Sequence, residues 1–342
     1  MSGIEVAPIE LAAIWDVPAG CVLRPLRGGY NNHLYRLHNA AGAPLPYVLR
    51  VYGNHANPKY IQHEIGVLLQ LAQQTLPFAV PAPILTRRGE PWALVEDERR
   101  VRLMMLVPFV CGENPAVHDL LQAEGAGEAM AVLHAALARV ESRGFGAPRP
   151  YIELGRVHPL VPDPFEAMRA VGSLASRVDV ARVDAVLERI YAHDKQIRAL
   201  PQQLIHGDYI TGNLLMDGPR VTAVLDFENC AFNPRGMDFA IAMDAWCWDA
   251  MGSGREQERI AALARGYARA GRLSDAEIAL LPVMVLLRNA NVLMHLIGRF
   301  LSNLSPYVDV ASWLESLARV DAWLTLYGEQ LTSCVRQHMG QG

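Results

Sequence analysis

Asp208, Asn213 and Asp226 are the residues of this 342-residue chain whose types and spacing could do chemistry. They stand in His206-Gly207-Asp208-Tyr209-Ile210-Thr211-Gly212-Asn213 and in Asp226-Phe227-Glu228. An Asn and an Asp brought together offer two oxygen ligands to a hard cation such as Mg²⁺, which takes a few protein oxygens and completes its octahedron with phosphate oxygens and water. Asp208 beside them would accept the proton of a substrate hydroxyl. That division of labour is phosphoryl transfer.

The flanking segments are suited to holding such a site. The apolar run Gln203-Leu204-Ile205 feeds the polar loop, and Leu214-Leu215-Met216 resumes an apolar strand that stops at Asp217-Gly218, a strong turn signal. Val221 to Leu225 reads as the returning strand. Because a hairpin sends the chain out and back, the pattern predicts that Asn213 and Asp226 lie close together.

His206-Gly207-Asp208-x-x-x-x-Asn213 followed by Asp226-Phe227-Glu228 resembles the aminoglycoside phosphotransferase and type II homoserine kinase superfamily, small-molecule relatives of protein kinases that include choline kinases. The resemblance covers roughly residues 20 to 300 and is most specific between His206 and Asp238. It implies an α+β, bilobal protein-kinase-like fold. Residues 1–107 would form a small N-terminal antiparallel-sheet lobe that binds nucleotide. Residues 108–342 would form a larger, mainly helical C-terminal lobe for catalysis and substrate, with a hinge at about 107–113. ATP and Mg²⁺ are the implied cofactors, with Asp208 as catalytic base and Asn213 and Asp226 as metal ligands.

Upstream, Gly28-Gly29 with Asn31-Asn32 makes a turn that could fold over phosphates, since glycine accepts positive φ freely and exposed amide N–H groups bind anions. It departs from the Gly-x-Gly-x-x-Gly loop of protein kinases and resembles the shorter Gly-Gly-x-x-Asn loop of their small-molecule relatives. Tyr47 to Tyr52 is a β-branched and aromatic strand carrying Arg50, either an exposed strand cation or the phosphate-binding residue that is Lys in protein kinases. Tyr60 to Leu71 has helical spacing, and its Glu64 is the expected ion-pair partner of Arg50, or else a solvated helix charge. Ala93 to Val95 and Val101 to Val107 complete an expected five-stranded antiparallel sheet. The backbone of Val107, Phe109 and Val110 then falls where the superfamily binds the adenine edge.

From Val117 the pattern turns helical, with His134 on an apolar face read as a core histidine. Pro148 to Pro164 reads as a surface excursion, and Asp238 as a helix N-cap bracing the catalytic loop. Glu228 stands where protein kinases have Gly. Candidate acceptor residues follow: Asp244 and Trp248, with Trp246 and Asp249 beside them, then Arg288, Asn291 and His295, which recur with Arg299 on one helix face. That face is either a solvated outer side or a cationic wall for an anionic substrate. A homoserine-like amino or hydroxy acid is the favoured acceptor. The alternatives are an aminoglycoside, choline or ethanolamine, or a catalytically silent nucleotide-binding protein.

Bulk properties limit the rest. A hydrophobic fraction of 51% and a net charge of −4 describe a globular chain, long enough for two cores and without a basic stripe for nucleic acid. Five scattered cysteines form no CxxC pair. No basic-then-apolar N-terminus appears, and the most apolar stretch, Ile278 to Leu287, stops at Arg288. The expectation is a cytoplasmic monomer or homodimer that binds a small-molecule alcohol and neither nucleic acid nor membrane. No GxxxxGK[ST] or GxSxG motif is present. Gly207 replaces the Arg of protein kinases and no Ala-Pro-Glu follows, so regulation by activation-loop phosphorylation is not expected.

Overall fold

In the computed structural model the alternating apolar segments of the first third become one antiparallel sheet. The structure describes residues 11–26, 32–53, 58–97, 100–141, 148–171 and 174–339. The chain divides into two compact units, Met1–Gly112 with Val140–Gly146 and Thr222–Glu228, and the remainder from Glu113 onward.

The first unit opens with a short helix α1 (Leu11–Ile14), then strands β1 (Val22–Pro25), β2 (His33–His38) and β3 (Pro44–Val51), helix α2 (Pro58–Ala72), and strands β4 (Ala93–Asp97) and β5 (Arg100–Pro108). The five strands run in the order β1-β2-β3-β5-β4, every neighbour antiparallel. Leu49 and Val51 of β3 enter a core with Leu11, Trp15, Leu37, Met104 and Leu106. Strand alternation therefore turns Arg50 to the opposite face. The segment after Val221 joins this unit because Ala79 accepts from Val224 N at 3.0 Å and donates to Thr222 O at 2.8 Å. Asp226 and Glu228 are carried with it.

The second unit is mainly helical. It comprises α3 (Leu120–Leu137), α4 (Pro164–Ala170), α5 (Arg177–Ala192) and α6 (Asp194–Ala199), then β6 (Gln202–Ile205), β7 (Leu214–Asp217), the start of β8 (Arg220–Val224), whose residues from Thr222 belong to the first unit, and β9 (Ala231–Pro234). Helices α7 (Gly236–Cys247), α8 (Arg255–Ala268), α9 (Asp275–Ala279), α10 (Leu281–Leu301) and α11 (Tyr307–Met339) complete it. Strand β6 pairs antiparallel with β9, and β7 with β8 form the hairpin that Asp217-Gly218 predicts. Helices α3 and α8 meet backbone to backbone: a Cβ on Gly127 would lie 2.1 Å from Leu263 O, so only glycine allows the approach.

Helix α10 runs through Arg288 for 21 residues and carries Arg288, Asn291, His295 and Arg299, the four residues read from the sequence as sharing one helix face. It is long and apolar enough to cross a membrane, yet most of it is buried against α7, α11 and other helices of its own unit. Helices α5 and α6 follow each other directly, with a break at His193.

Candidate active site

Asp208 sits in the loop between β6 and β7, and the loop is held at both ends by polar side chains, a buried carboxylate at its start and an exposed amide at its far end. Asp238 is completely buried in the first turn of α7 and accepts from His206 N and Gly207 N, both at 2.8 Å. Its third partner is His134 Nε2 at 3.0 Å, whose Nδ1 meets Tyr267 Oη at 2.9 Å. His134 is therefore a core histidine, as expected, with a purpose: it orients the carboxylate that holds the loop. Asp238 lies inside α7 and is not its N-cap, a position that falls to Arg235, which makes no side-chain cap. Gly207 has φ +78°, and a Cβ there would be 2.2 Å from Asn229 O, so the turn into Asp208 requires glycine.

At the far end of the loop, Asn114 Nδ2 donates to the carbonyls of Thr211, Gly212 and Leu214 at 3.3, 3.1 and 2.9 Å. Between these clamps Asp208 is oriented by two donors. Asn213 Nδ2 reaches Asp208 Oδ2 at 3.1 Å and Asp208 O at 2.9 Å, and Arg288 Nη2 of α10 reaches Asp208 Oδ1 at 2.8 Å. An ionised carboxylate only accepts, so Asn213 must turn its nitrogen toward Asp208 and its oxygen away. That leaves Asn213 Oδ1 for a cation.

Tyr151 is the brace that the sequence hid. It lies in the Pro-rich segment read as a surface excursion, but its hydroxyl donates to Gly207 O, its N–H to Asn233 Oδ1 at 2.8 Å, and its carbonyl accepts from Asn291 Nδ2 at 2.9 Å. Burial pushes its phenol up to about 12. The segment also sends Ile152, Leu154 and Val161 into the core, which corrects the surface reading.

Asn291, proposed from sequence to face substrate, is buried, and its amide is engaged at both ends, by Tyr151 O and by Arg149 Nη2 at 2.9 Å. Burial works against the charge of Arg288, but Tyr151, Asp208 and Asp244 outweigh it and raise its pKa. Asp244 of α7 is half-buried and takes a hydrogen bond from Asn289 Nδ2 at 3.0 Å. Burial pushes its carboxyl up, opposed by that bond and by Arg288. His295 is half-buried farther along α10. Trp248 is exposed, with Arg319 stacked 5.1 Å from its ring centre, and Asp249 pairs with Arg259. Trp246 is completely buried, so it offers no open face to the aromatic cage that choline would need.

In the first unit Arg50 is the centre of an acidic cluster. Its guanidinium donates to Glu64 Oε1 at 2.7 Å, to Asp226 Oδ1 at 3.2 Å and to Glu228 Oε2 at 3.2 Å. Glu64 also accepts from Tyr52 Oη at 3.0 Å, and Glu228 from Asn32 Nδ2 at 2.8 Å. Burial opposes the Arg50 charge, yet Glu64, with Tyr52, Asp226 and Glu228, raises its pKa well above the ordinary value. Burial conversely pushes Glu64 up to about 7 against the pull of Arg50.

Three carboxylates around one guanidinium leave an excess of negative charge, the environment a divalent cation would relieve. Asp226 also holds φ 63°, an uncommon conformation for a non-glycine residue and one that collects at functional sites. Among the described residues no three His, Cys, Asp or Glu converge as a ready metal cage. Gly28 and Gly29 lie outside the described residues. Val107 is the buried next-to-last residue of β5, while Phe109 and Val110 are half-buried beyond the strand, with Phe109 N bonded to Pro46 O at 2.9 Å and Arg36 stacked on the Phe109 ring.

Residues 22–276 match the family model described as the phosphotransferase enzyme family. A homoserine kinase of Beijerinckia indica subsp. indica is 26% identical over 282 residues, covering 80% of this chain and 78% of its own length. Among solved structures, a microcompartment-associated aminopropanol kinase superposes with a TM-score of 0.72 at 22% identity, over 94% of this chain and 96% of that one. An amicoumacin kinase in complex with AMP-PNP, Ca²⁺ and Ami gives a TM-score of 0.67 at 16% identity, over 90% of each chain. The architecture is thus that of the kinase-like fold expected from the sequence.

Proposed function

Because the chain belongs to the phosphotransferase enzyme family, we propose that it transfers the γ-phosphoryl group of ATP to the hydroxyl of a small molecule, a homoserine-like amino or hydroxy acid. The observation that carries this reading is Asp208, exposed enough to meet a substrate, fixed by Asn213 and Arg288, and set on a loop clamped by Asp238, Tyr151 and Asn114. A carboxylate positioned in that way accepts a hydroxyl proton as the oxygen attacks phosphorus.

Asn213 and Asp226 are the residues we assign to hold Mg²⁺, which when bound neutralises charge on the phosphate oxygens. Arg50, braced by Glu64, steadies the nucleotide phosphates. The backbone of Val107, Phe109 and Val110 receives the adenine edge. Most of the rate enhancement then comes from positioning and preorganised charge, because the transition state is loose and the charge resides on phosphoryl oxygens. The curated relatives named homoserine kinase support an amino-acid acceptor. The buried Trp246 weighs against choline.

The test is Mg²⁺-dependent ATP turnover across homoserine, aminopropanol, ethanolamine, choline and aminoglycosides. Phosphorylation of a hydroxyl is expected for at least one, and Asp208→Asn should lower kcat roughly 10²–10⁴-fold with nucleotide binding retained. Undiminished turnover in that variant would remove Asp208 from its role.

A further inference from the structure

The second unit holds a cavity of about 270 Å³ whose wall includes Ile152, Ile197, Phe232, Met237, Met284 and Leu287, and none of Asp208, Asn213 or Arg288. Pro150 and Ile152 line it, while Tyr151 between them turns its hydroxyl to Gly207 O. The cavity and the catalytic loop thus meet this segment from different sides. Ile197, Met237, Met284 and Leu287 are buried, whereas Phe232 and the wall residue Arg198 are exposed, so the cavity reaches the surface.

One polar side chain of the wall, Asn233, is deeply buried, at 2% exposure. Its Oδ1 accepts from Tyr151 N at 2.8 Å, and because only an acceptor can face an N–H, that bond fixes which way the amide points. Asn233 Nδ2 is then left with no hydrogen-bond partner in the protein. A buried donor without an acceptor is costly, and this one stands in the wall of a cavity that could receive an acceptor from outside. The charge around it favours an anion. No acidic residue lines the cavity, and Arg198 adds a guanidinium whose Nε meets Asp194 at 2.9 Å and which has further N–H donors.

From this geometry we propose that the cavity binds a small monocarboxylate with a short aliphatic or aromatic body, and that the bound acid steadies the catalytic loop. The carboxylate accepts from Asn233 Nδ2 and is favoured by the charge of Arg198, a charge-assisted contact stronger than one to a neutral oxygen. The hydrocarbon body lies among the apolar side chains, where Met237 and Met284 adapt to its shape. An apolar cavity of about 150 Å³ holds benzene, so this one has room for a somewhat larger body. An ammonium would bring donors to a donor and positive charge to a guanidinium. The link to the loop runs through Asn233 itself, which holds Tyr151 N and stands opposite Gln203 in the β6–β9 pair, while β6 leads straight into Gly207. Filling the cavity therefore stiffens two supports of the loop at once.

The experiment is calorimetric titration with hexanoate and phenylacetate, against hexanol and hexylamine as neutral and cationic counterparts. The acids should bind one to one with a Kd of roughly millimolar or tighter, as suits ligands of this size. The counterparts should bind roughly tenfold more weakly or not at all. Ile197→Phe, which fills the cavity, should abolish acid binding, and Arg198→Gln, on the surface, should weaken it roughly tenfold with the melting temperature of the free protein unchanged. Saturating L-homoserine with AMP-PNP should leave the affinity for hexanoate within a factor of about two, as expected for separate sites. Hydrogen exchange of residues 206–213 should slow on addition of hexanoate and not of hexanol.

Absence of saturable binding by either acid would overturn the site, and so would equal affinity for acid, alcohol and amine. Displacement of hexanoate by L-homoserine would make the cavity part of the acceptor site and overturn the proposal as well. Acid binding with unchanged exchange in the loop would overturn the coupling. Should Ile197→Phe fail to fold, Arg198→Gln decides, undiminished affinity in that variant being the overturning result.

Discussion

Asp208 and Arg288, eighty residues apart, meet at 2.8 Å, and each side chain is 17% exposed. The pair is sheltered enough for its charges to matter and open enough for a substrate to approach. Because Asn213 holds the other oxygen, the carboxylate is fixed in orientation from both sides.

Arg288→Gln should therefore leave Asp208 anchored on one side only. The expected result is a fall in kcat of roughly tenfold or more, within the range for a positioned general base, with KM for ATP unchanged. Arg288→Lys keeps the charge but not the planar fork and should lie between the two. Steady-state kinetics with ATP and acceptor varied separately check this. A rise in KM for ATP with kcat intact would place Arg288 on the nucleotide instead.

The strands around Asp208 and Asn213 and the hairpin that follows were legible in the sequence because each has a local signal: an apolar run, a turn pair, a polar loop. Arg50 and Glu64 were legible as a pair only through the resemblance to the kinase template, and they meet at 2.7 Å. Tyr151 and Asn114 gave no such signal. They act through contacts with a loop 56 and about 100 residues away, Tyr151 from an irregular segment whose prolines suggested only a surface path. The helix face of Arg288 and Asn291 was visible as a periodicity, but period cannot say what a face packs against. It meets Asp208, Tyr151 and Arg149, not solvent.

The buried pair Arg50–Glu64 predicts a pH dependence. Burial raises Glu64 from 4.5 to about 7, so the folded protein holds this proton more tightly than the unfolded chain. Between those values the folded state binds more protons, and stability must fall as pH rises through that window and level off above it. A shift of that size corresponds to at most about 3 kcal/mol. Glu64→Gln cannot titrate. Its urea-unfolding free energy, subtracted from that of the wild type at each pH from 4 to 8, should expose the slope. A wild-type-minus-variant difference that stays flat would show that Glu64 keeps its ordinary affinity for protons.

Tyr151 offers the sharpest separation of structure from catalysis. Its main chain is tied to Asn233 and Asn291, so Tyr151→Phe removes only the hydroxyl that donates to Gly207 O, one residue before Asp208. A single neutral hydrogen bond contributes about 1 kcal/mol to stability, and a loss of that order is expected in chemical denaturation. If the hydroxyl also fixes the loop, kcat should fall several-fold with both KM values nearly constant, because Asp208 loses alignment and no binding contact goes with it. A tyrosine that merely packs would lose the stability and leave kcat where it was, so the two readouts together decide whether the Pro-rich segment belongs to the catalytic loop's support.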